Sequence, residues 1–262
     1  MTHLARRIGM YRTAALLACV VLAWPASAGA SFEDLVKSYQ TAEAKWREST
    51  GSNQYVDYSD HPISKFLPKI RSAAEDLAGS PRAVEALTWM MLQYEAVAGT
   101  GEEGDVDALA WAVDTVTKDH AADAAVGAAL PKLKDMAYAV QFDRLMRFYK
   151  AILAASSDNE VKARATFNMA FALYDDFGPL SGKHPLKQIR YSKDAKKLFG
   201  QMSKDFAGTV AAEAAEPFLF EMEHLQVGKR APEVLGTQPD GTEIRLSQFE
   251  GQVVVLDFWG FW

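Results

Sequence analysis

The sequence is short of cysteine. Among 262 residues there is one, Cys19. A disulfide scaffold needs pairs of cysteines and a thiolate metal site needs several, so both are excluded. Dithiol chemistry within these residues is excluded with them. Histidine is scarce as well. His3, His61, His120, His184 and His224 are scattered, and none has a partner at the i, i+4 spacing of a helical metal site. Surface or internally satisfied roles are expected for all five. Gly-rich phosphate loops, nucleophile elbows and catalytic-triad patterns are missing. Clustered basic residues are missing too. Lys and Arg number 28 against 34 Asp and Glu, a net charge of −6. That balance carries no nucleic-acid footprint, since phosphate binding needs grouped cations. Lys193, Lys196 and Lys197 make only a small, solvated basic face. Glu102, Glu103, Asp105 and Asp107 precede a helix without the EF-hand pattern, so capping and helix-dipole roles are expected. What is present is ordinary for a globular protein, with 49% hydrophobic and 24% charged residues. The length suits one large domain or two small ones.

Residues 1–30 read as a secretory signal. Arg6, Arg7 and Arg12 form a positive start with no acid before Glu33. An apolar stretch from Ala14 to Trp24 follows, about half the ~20 residues that a spanning helix needs. Pro25 breaks it. Ala26-Ser27-Ala28 and Ala28-Gly29-Ala30 both fit small-x-small cleavage. Leu16-Leu17-Ala18-Cys19 loosely resembles a lipoprotein box, but the apolar run continues past the cysteine. An uncleaved anchor is the alternative. Cleavage near Ala28 or Ala30 leaves no cysteine, and 25 basic against 34 acidic residues, a net charge of −9. An exported protein of the periplasm or cell envelope is expected, with no stable membrane span after cleavage.

Residues 31–225 read as an all-helical domain. Ser80-Pro81 is a helix start, and Val84, Leu87, Met91 and Tyr94 recur at helical spacing up to Gly99-Thr100-Gly101. Further helices are expected over 105–118, 131–139 and 142–155. Ser157-Asp158 is expected to cap another, and two more are expected over 191–206 and 210–225, with Pro217 kinking or restarting the last. Residues 49–62 and 175–185 read as loops. Small residues on packing faces and short connections suggest antiparallel helical hairpins, TPR-like, although no clean repeat period is present. The fold class expected is mainly α, a helical hairpin array or irregular bundle.

Composition changes after Leu225. Pro239-Asp240-Gly241 is a turn between short extended pieces. Val253-Val254-Val255-Leu256-Asp257-Phe258-Trp259 is a continuous apolar, β-branched and aromatic run, the pattern of a strand buried on both faces. A second domain, residues 226–262, is expected to begin here.

This tail resembles the opening of the thioredoxin-like redoxins. The likeness is to exported TlpA/ResA-type thiol-disulfide reductases within the AhpC/TSA superfamily. It rests on Val227-Gly228-Lys229, Ala231-Pro232, Asp240-Gly241-Thr242, Leu246-Ser247-Gln248-Phe249, Gly251 and the run ending Phe258-Trp259-Gly260-Phe261-Trp262. The resemblance implies the incomplete start of an α/β thioredoxin-like domain, a protein disulfide or dithiol substrate, and no cofactor. It implies a Cys-x-x-Cys immediately after Trp262, where the nucleophile is expected. Asp257 aligns with a buried acid that supports proton transfer at such a pair, with desolvation raising its pKa. Trp259 and Trp262 would flank the sulfur. The alternatives are an Asp257 that merely pairs or hydrogen-bonds in the core, and tryptophans that are plain core and rim aromatics.

The sequence ends before that nucleophile. A fragmentary record, a nonsense mutation and a UGA codon for selenocysteine are the competing readings. The stop coincides with the position where selenium replaces sulfur, which favours the third. Taken literally, the chain is expected to be a folded helical domain with a poorly anchored, aggregation-prone tail. The alternatives in function are a non-catalytic helical interaction protein with a relic redoxin start, and a peroxiredoxin-type antioxidant peroxidase.

Overall fold

The computed structural model describes residues 30–50, 56–177, 185–257, 259 and 260. The expected signal segment and Cys19 lie outside the described residues, as does most of the loop expected at 175–185.

The fold is mainly α. Ten α-helices are described: α1 (Phe32–Thr50), α2 (Ile63–Asp76), α3 (Pro81–Met91), α4 (Tyr94–Thr100), α5 (Glu103–Thr115), α6 (Ala124–Ala129), α7 (Phe142–Ala155), α8 (Asn159–Phe177), α9 (Pro185–Asp205) and α10 (Val210–His224). Two short strands follow, β1 (Leu235–Thr237) and β2 (Glu243–Arg245).

Local chemistry places several of the helix ends. Ser31 Oγ accepts the Asp34 N–H at 3.2 Å, and Asp158 Oδ1 accepts from Glu160 and Val161 at 2.8 and 3.2 Å. Asp123 and Thr209 do the same for α6 and α10. Each cap satisfies an N–H that the first helical turn leaves without a partner. Gly101, at φ +63°, closes α4 in the left-handed conformation that glycine adopts without penalty.

The helices pack around two hydrophobic clusters. The larger joins α1 to α7, with Ile63, Leu67, Ile70, Leu109, Phe148 and Tyr149 fully buried. The smaller joins α8, α9 and α10 through Phe167, Phe199 and Met202. Helix α8 belongs to both. Ala165 and Ala172 face the larger cluster, and Ala163, Phe167 and Ala170 face the smaller. Alanine on both sides lets a helix be covered from two directions at close range. At Gly127 the approach is closer still: an added Cβ would lie 2.7 Å from Val161 Cγ2.

Several expected boundaries are corrected. The helix expected to run from Ser80 to Gly99 is two, α3 and α4. Gln93 Nε2 donates to the Trp89 carbonyl at 3.3 Å, while its Oε1 accepts from Tyr39 Oη at 3.0 Å. The side chain thus takes the carbonyl that a continuous helix would give to the Gln93 N–H. The helix expected at 131–139 is absent. In its place α6 ends at Ala129, and 3-10 turns cover Leu130–Lys132 and Met136–Tyr138. Buried side chains take up carbonyls there: Asn168 Nδ2 donates to Leu130 O at 2.8 Å and Tyr149 Oη to Leu133 O at 3.0 Å. Helix α5 starts two residues before the expected 105 and gives way to a π turn over Val116–His120. Helix α1 reaches Thr50 and α9 starts at Pro185, so both intrude on expected loops. Helix α10 continues through Pro217 without restarting, because that residue is exposed and the carbonyl it frees can be hydrated.

Candidate functional site

The tail supplies the residues that the redoxin resemblance singles out. Strands β1 and β2 pair antiparallel, with Leu235 opposite Arg245, Gly236 opposite Ile244 and Thr237 opposite Glu243. Leu246 N–H adds one more bond, to Val234 O at 3.0 Å. The connecting turn is built by Asp240 and Gly241. Asp240 Oδ1 accepts the Thr242 N–H at 2.9 Å, and bonding to Thr242 holds that carboxyl below its usual range. Gly241 takes φ +89°, a conformation that suits glycine. A 3-10 turn over Leu246–Phe249 follows, capped when Gln248 Oε1 accepts the Arg245 N–H at 3.2 Å. Ser247 N–H donates to Glu233 Oε1 at 3.0 Å, tying the turn to the segment before β1, and hydrogen bonding from Ser247 holds the Glu233 carboxyl down.

The run after Gly251 departs from the buried strand that its composition suggests and agrees with the poorly anchored tail expected of the chain taken literally. No strand forms over residues 253–257, and no residue from 226 to 257 is buried. The physical reason is the ladder: β1 and β2 pair with each other over three residues, and among the described residues no further strand is present to receive the run. Strand-like alternation survives without it. Val253 and Val255 are 98% and 88% exposed, whereas Val254 and Leu256 are 41% and 48% exposed. The two covered residues turn toward Val234, Ile244 and Phe249 around a cavity of about 270 Å³. One face of the run is thus half-covered and the other bare.

Asp257 lies at the end of this run and is exposed. The desolvation that the resemblance implies for it is not met here. Trp259 is exposed as well. Trp262 lies outside the described residues, as do Phe258 and Phe261. The structure therefore places Asp257 and Trp259 near each other in the chain, but encloses neither.

A second polar cluster was not singled out by sequence reasoning. His61 is buried just before α2, and its Nδ1 accepts the Ile63 N–H at 3.2 Å. That bond requires a bare Nδ1. Rings of Trp46, Tyr58 and Tyr39 surround the imidazole, with centroids 4.4, 5.4 and 6.3 Å away. Burial pushes its pKa down, Arg47 adds to that, and the carboxylates of Glu43 and Asp105 oppose it. Asp105 is itself buried at the start of α5, accepting from the hydroxyls of Ser64 and, at 3.1 Å, Thr100. Tyr58 lies flat enough on Gly99 that an added Cβ would come within 2.4 Å of its ring. The cluster joins α1, α2, α4 and α5, a structural role. The one signal for it was His61-Pro62 immediately ahead of an apolar helix. Among the described residues, no group of three His, Cys, Asp or Glu side chains is placed to hold a metal ion.

Comparison with known proteins points to the redoxins. The chain is similar to the thiol-disulfide oxidoreductase ResA of Bacillus thuringiensis (strain Al Hakam) and of Bacillus anthracis, 36% identical over 56 residues in each case. ResA of Bacillus cereus (strain ATCC 10987 / NRS 248) is 34% identical over 56 residues. Each match covers 21% of this chain and 32% of the relative. The chain thus spans about a third of the length of the curated relatives it matches. These matches support a thioredoxin-like relation for part of the chain. No family model matches, and no solved structure matches. Among the described residues, no helix is long and apolar enough to cross a membrane.

Proposed function

We propose that the chain belongs to an exported thioredoxin-like thiol-disulfide oxidoreductase in which a helical domain, residues 31–225, precedes a redoxin module that starts near residue 226. One observation carries this reading: redoxin-like elements occur in order and at normal spacing from Val227 to Trp262, in a chain that is 36% identical to ResA over 56 residues. A protein disulfide or dithiol is the substrate class. In this reaction a thiolate attacks a disulfide sulfur, forms a mixed disulfide and is released by a second thiol. Asp257 would accept or return the proton of that second thiol, and Trp259 and Trp262 would shield the sulfur from water. Those roles require Asp257 to be enclosed by further structure. The 262 residues themselves hold no thiol beyond Cys19. Residues 1–30 would direct export and be removed.

The test is made on the protein from its native source. Its C-terminus is read by mass spectrometry, and its reduction of insulin disulfides is followed by turbidity. Turnover with dithiothreitol as electron donor, slowed by Asp257→Asn, is the expected result. A product without exchange activity overturns the reading and favours the non-catalytic helical protein. The DNA beyond codon 262 tests the position of the nucleophile. An in-frame UGA or cysteine codon, two residues, a cysteine codon and further redoxin sequence is expected. The absence of an open frame there excludes selenocysteine.

A further inference from the structure

Residues 225–234 join α10 to β1 and belong to no helix or strand. They hold a pair of basic residues, Lys229-Arg230. Val227, Gly228, Lys229, Arg230 and Ala231 are all exposed. The Lys229 N–H donates to Gln226 O at 3.0 Å and closes a turn in which Gly228 takes φ +85°. The next backbone hydrogen bond along the chain is at Val234, whose carbonyl accepts the Leu246 N–H at 3.0 Å. From Arg230 to Glu233 the backbone has no hydrogen-bond partner among the described residues. Arg230 lies 3.6 Å from Glu250, but both side chains are largely exposed, and such a pair holds a segment only weakly.

The other lysines and arginines are placed differently. Among the described residues, Lys134, Lys229 and Arg230 are the ones outside helices, helical turns and strands. Lys134 is half-buried, with its ammonium 4.3 Å from the centre of the Phe171 ring and 2.7 Å from Asp135 Oδ1. A protease binds its substrate as an extended strand. A basic residue inside a helix can be reached only after local unfolding, which costs free energy. The linker has no backbone ladder to break, and exposed segments of this kind are where chains are nicked.

We propose that the Arg230–Ala231 bond is a processing site for an endoprotease specific for basic residues, with Lys229 as a second basic contact. Water adds across the amide: the Arg230 carbonyl carbon takes the hydroxyl and ends as a carboxylate, and the Ala231 nitrogen takes the protons and ends as an ammonium. This bond is favoured over Lys229–Arg230 because Lys229 is held in the turn, whereas Ala231 is small, exposed and beyond it. The cut separates α1–α10 from β1, β2 and all that follows. Among the described residues, every buried one lies between Tyr39 and Met222, so the helical part loses no core residue. The inference rests on the linker and does not depend on the redoxin reading.

The test uses the full chain, with trypsin in limiting amount as the probe and intact mass as the readout. An early pair of fragments divided at Arg230–Ala231 is expected, and the helical fragment should stay folded and melt where the parent does. Lys229→Gln together with Arg230→Gln should abolish that cut and leave the melting temperature unchanged. In the native source, precipitated with acid at harvest so that no cut is made afterwards, a fragment ending at Arg230 is expected. A linker left intact in a chain already cut elsewhere overturns the proposal, as does a native source that holds only uncut protein. Ends scattered over 226–234 that persist in the double variant overturn the assignment to a protease specific for basic residues.

Discussion

The helical region and the tail treat apolar residues in opposite ways. In α2, Ile63, Leu67 and Ile70 recur at helical spacing, with Ser64, Lys65 and Lys69 interrupting the apolar residues, and all three are completely buried. In the tail, Val253 to Leu256 is an unbroken apolar run, and every residue in it is at least 41% exposed. Hydrophobicity alone therefore does not decide burial. A helix satisfies its own backbone and needs only a surface that meets its apolar stripe. A strand leaves its N–H and C=O groups to be paired by a neighbour, and the neighbour must arrive in register. The helices find such surfaces among themselves. The short β1–β2 pair covers only one side of the tail's run.

Mutations test this contrast most strongly where burial differs most. Phe148→Ala should lower stability by about 3–5 kcal/mol in urea denaturation, because it opens a cavity in a closed core. Val255→Ala, in the exposed run, should change it by less than about 0.5 kcal/mol. Comparable losses from the two would break the comparison and mean that the tail is packed in solution.

Polar burial gives the next effect. Asn168 is fully buried and serves the Leu130 carbonyl. Asn168→Ala removes one of the two donors to that carbonyl, which keeps the Leu133 N–H at 3.0 Å, and should cost about 0.5–1.5 kcal/mol. A loss near zero would mean that water replaces the amide, and that the turn after α6 is less enclosed than the structure indicates.

His61 sharpens the comparison through pH. Its folded pKa lies below the ordinary value of 6.5, so the folded protein binds fewer protons than the unfolded chain as pH falls through that region. The stability from neutral His61 is complete above pH 6.5 and is lost as pH drops toward the folded pKa. Melting temperatures between pH 8 and 5 should fall over the acidic part of this range, and His61→Asn should flatten that part of the curve. A slope unchanged by the substitution would assign the effect to other groups. In the tail, Glu233 and Asp240 have lowered pKa values and are fully exposed, so their effect on melting should be negligible by comparison.

The smallest effect is in exchange rates. Amides over 253–257 should exchange nearly as fast as in a free peptide, and those paired across β1 and β2 only somewhat slower, whereas core helix amides are protected. Slow exchange throughout 228–257 would overturn the contrast between the two regions.

Much of the helical region was legible because the signals are local. Helix α7 begins and ends where its apolar spacing indicated, and Asp158 caps α8 from a position visible in the sequence. The break at Gln93 and the turns after Ala129 were not legible. They depend on Tyr39, Tyr149 and Asn168, which are distant in sequence and take or offer hydrogen bonds only once packed. The candidate site divides in the same way. The redoxin-like residues of the tail were readable as a motif, but the exposure of Asp257 was not. His61 carried no motif, since what distinguishes it is which partners surround it.

By itself, the sequence determined that this protein is mainly α, that its character changes near residue 226, and that its tail carries redoxin-like elements. Those properties follow from periodicity, capping residues and short ordered motifs, which act over a few positions. Only the tertiary structure decided that α8 serves two cores, that His61 is enclosed by three aromatic rings, and that the most apolar run of the tail is left exposed. Each of these depends on surfaces brought together from far along the chain, and no local pattern encodes which surface will arrive.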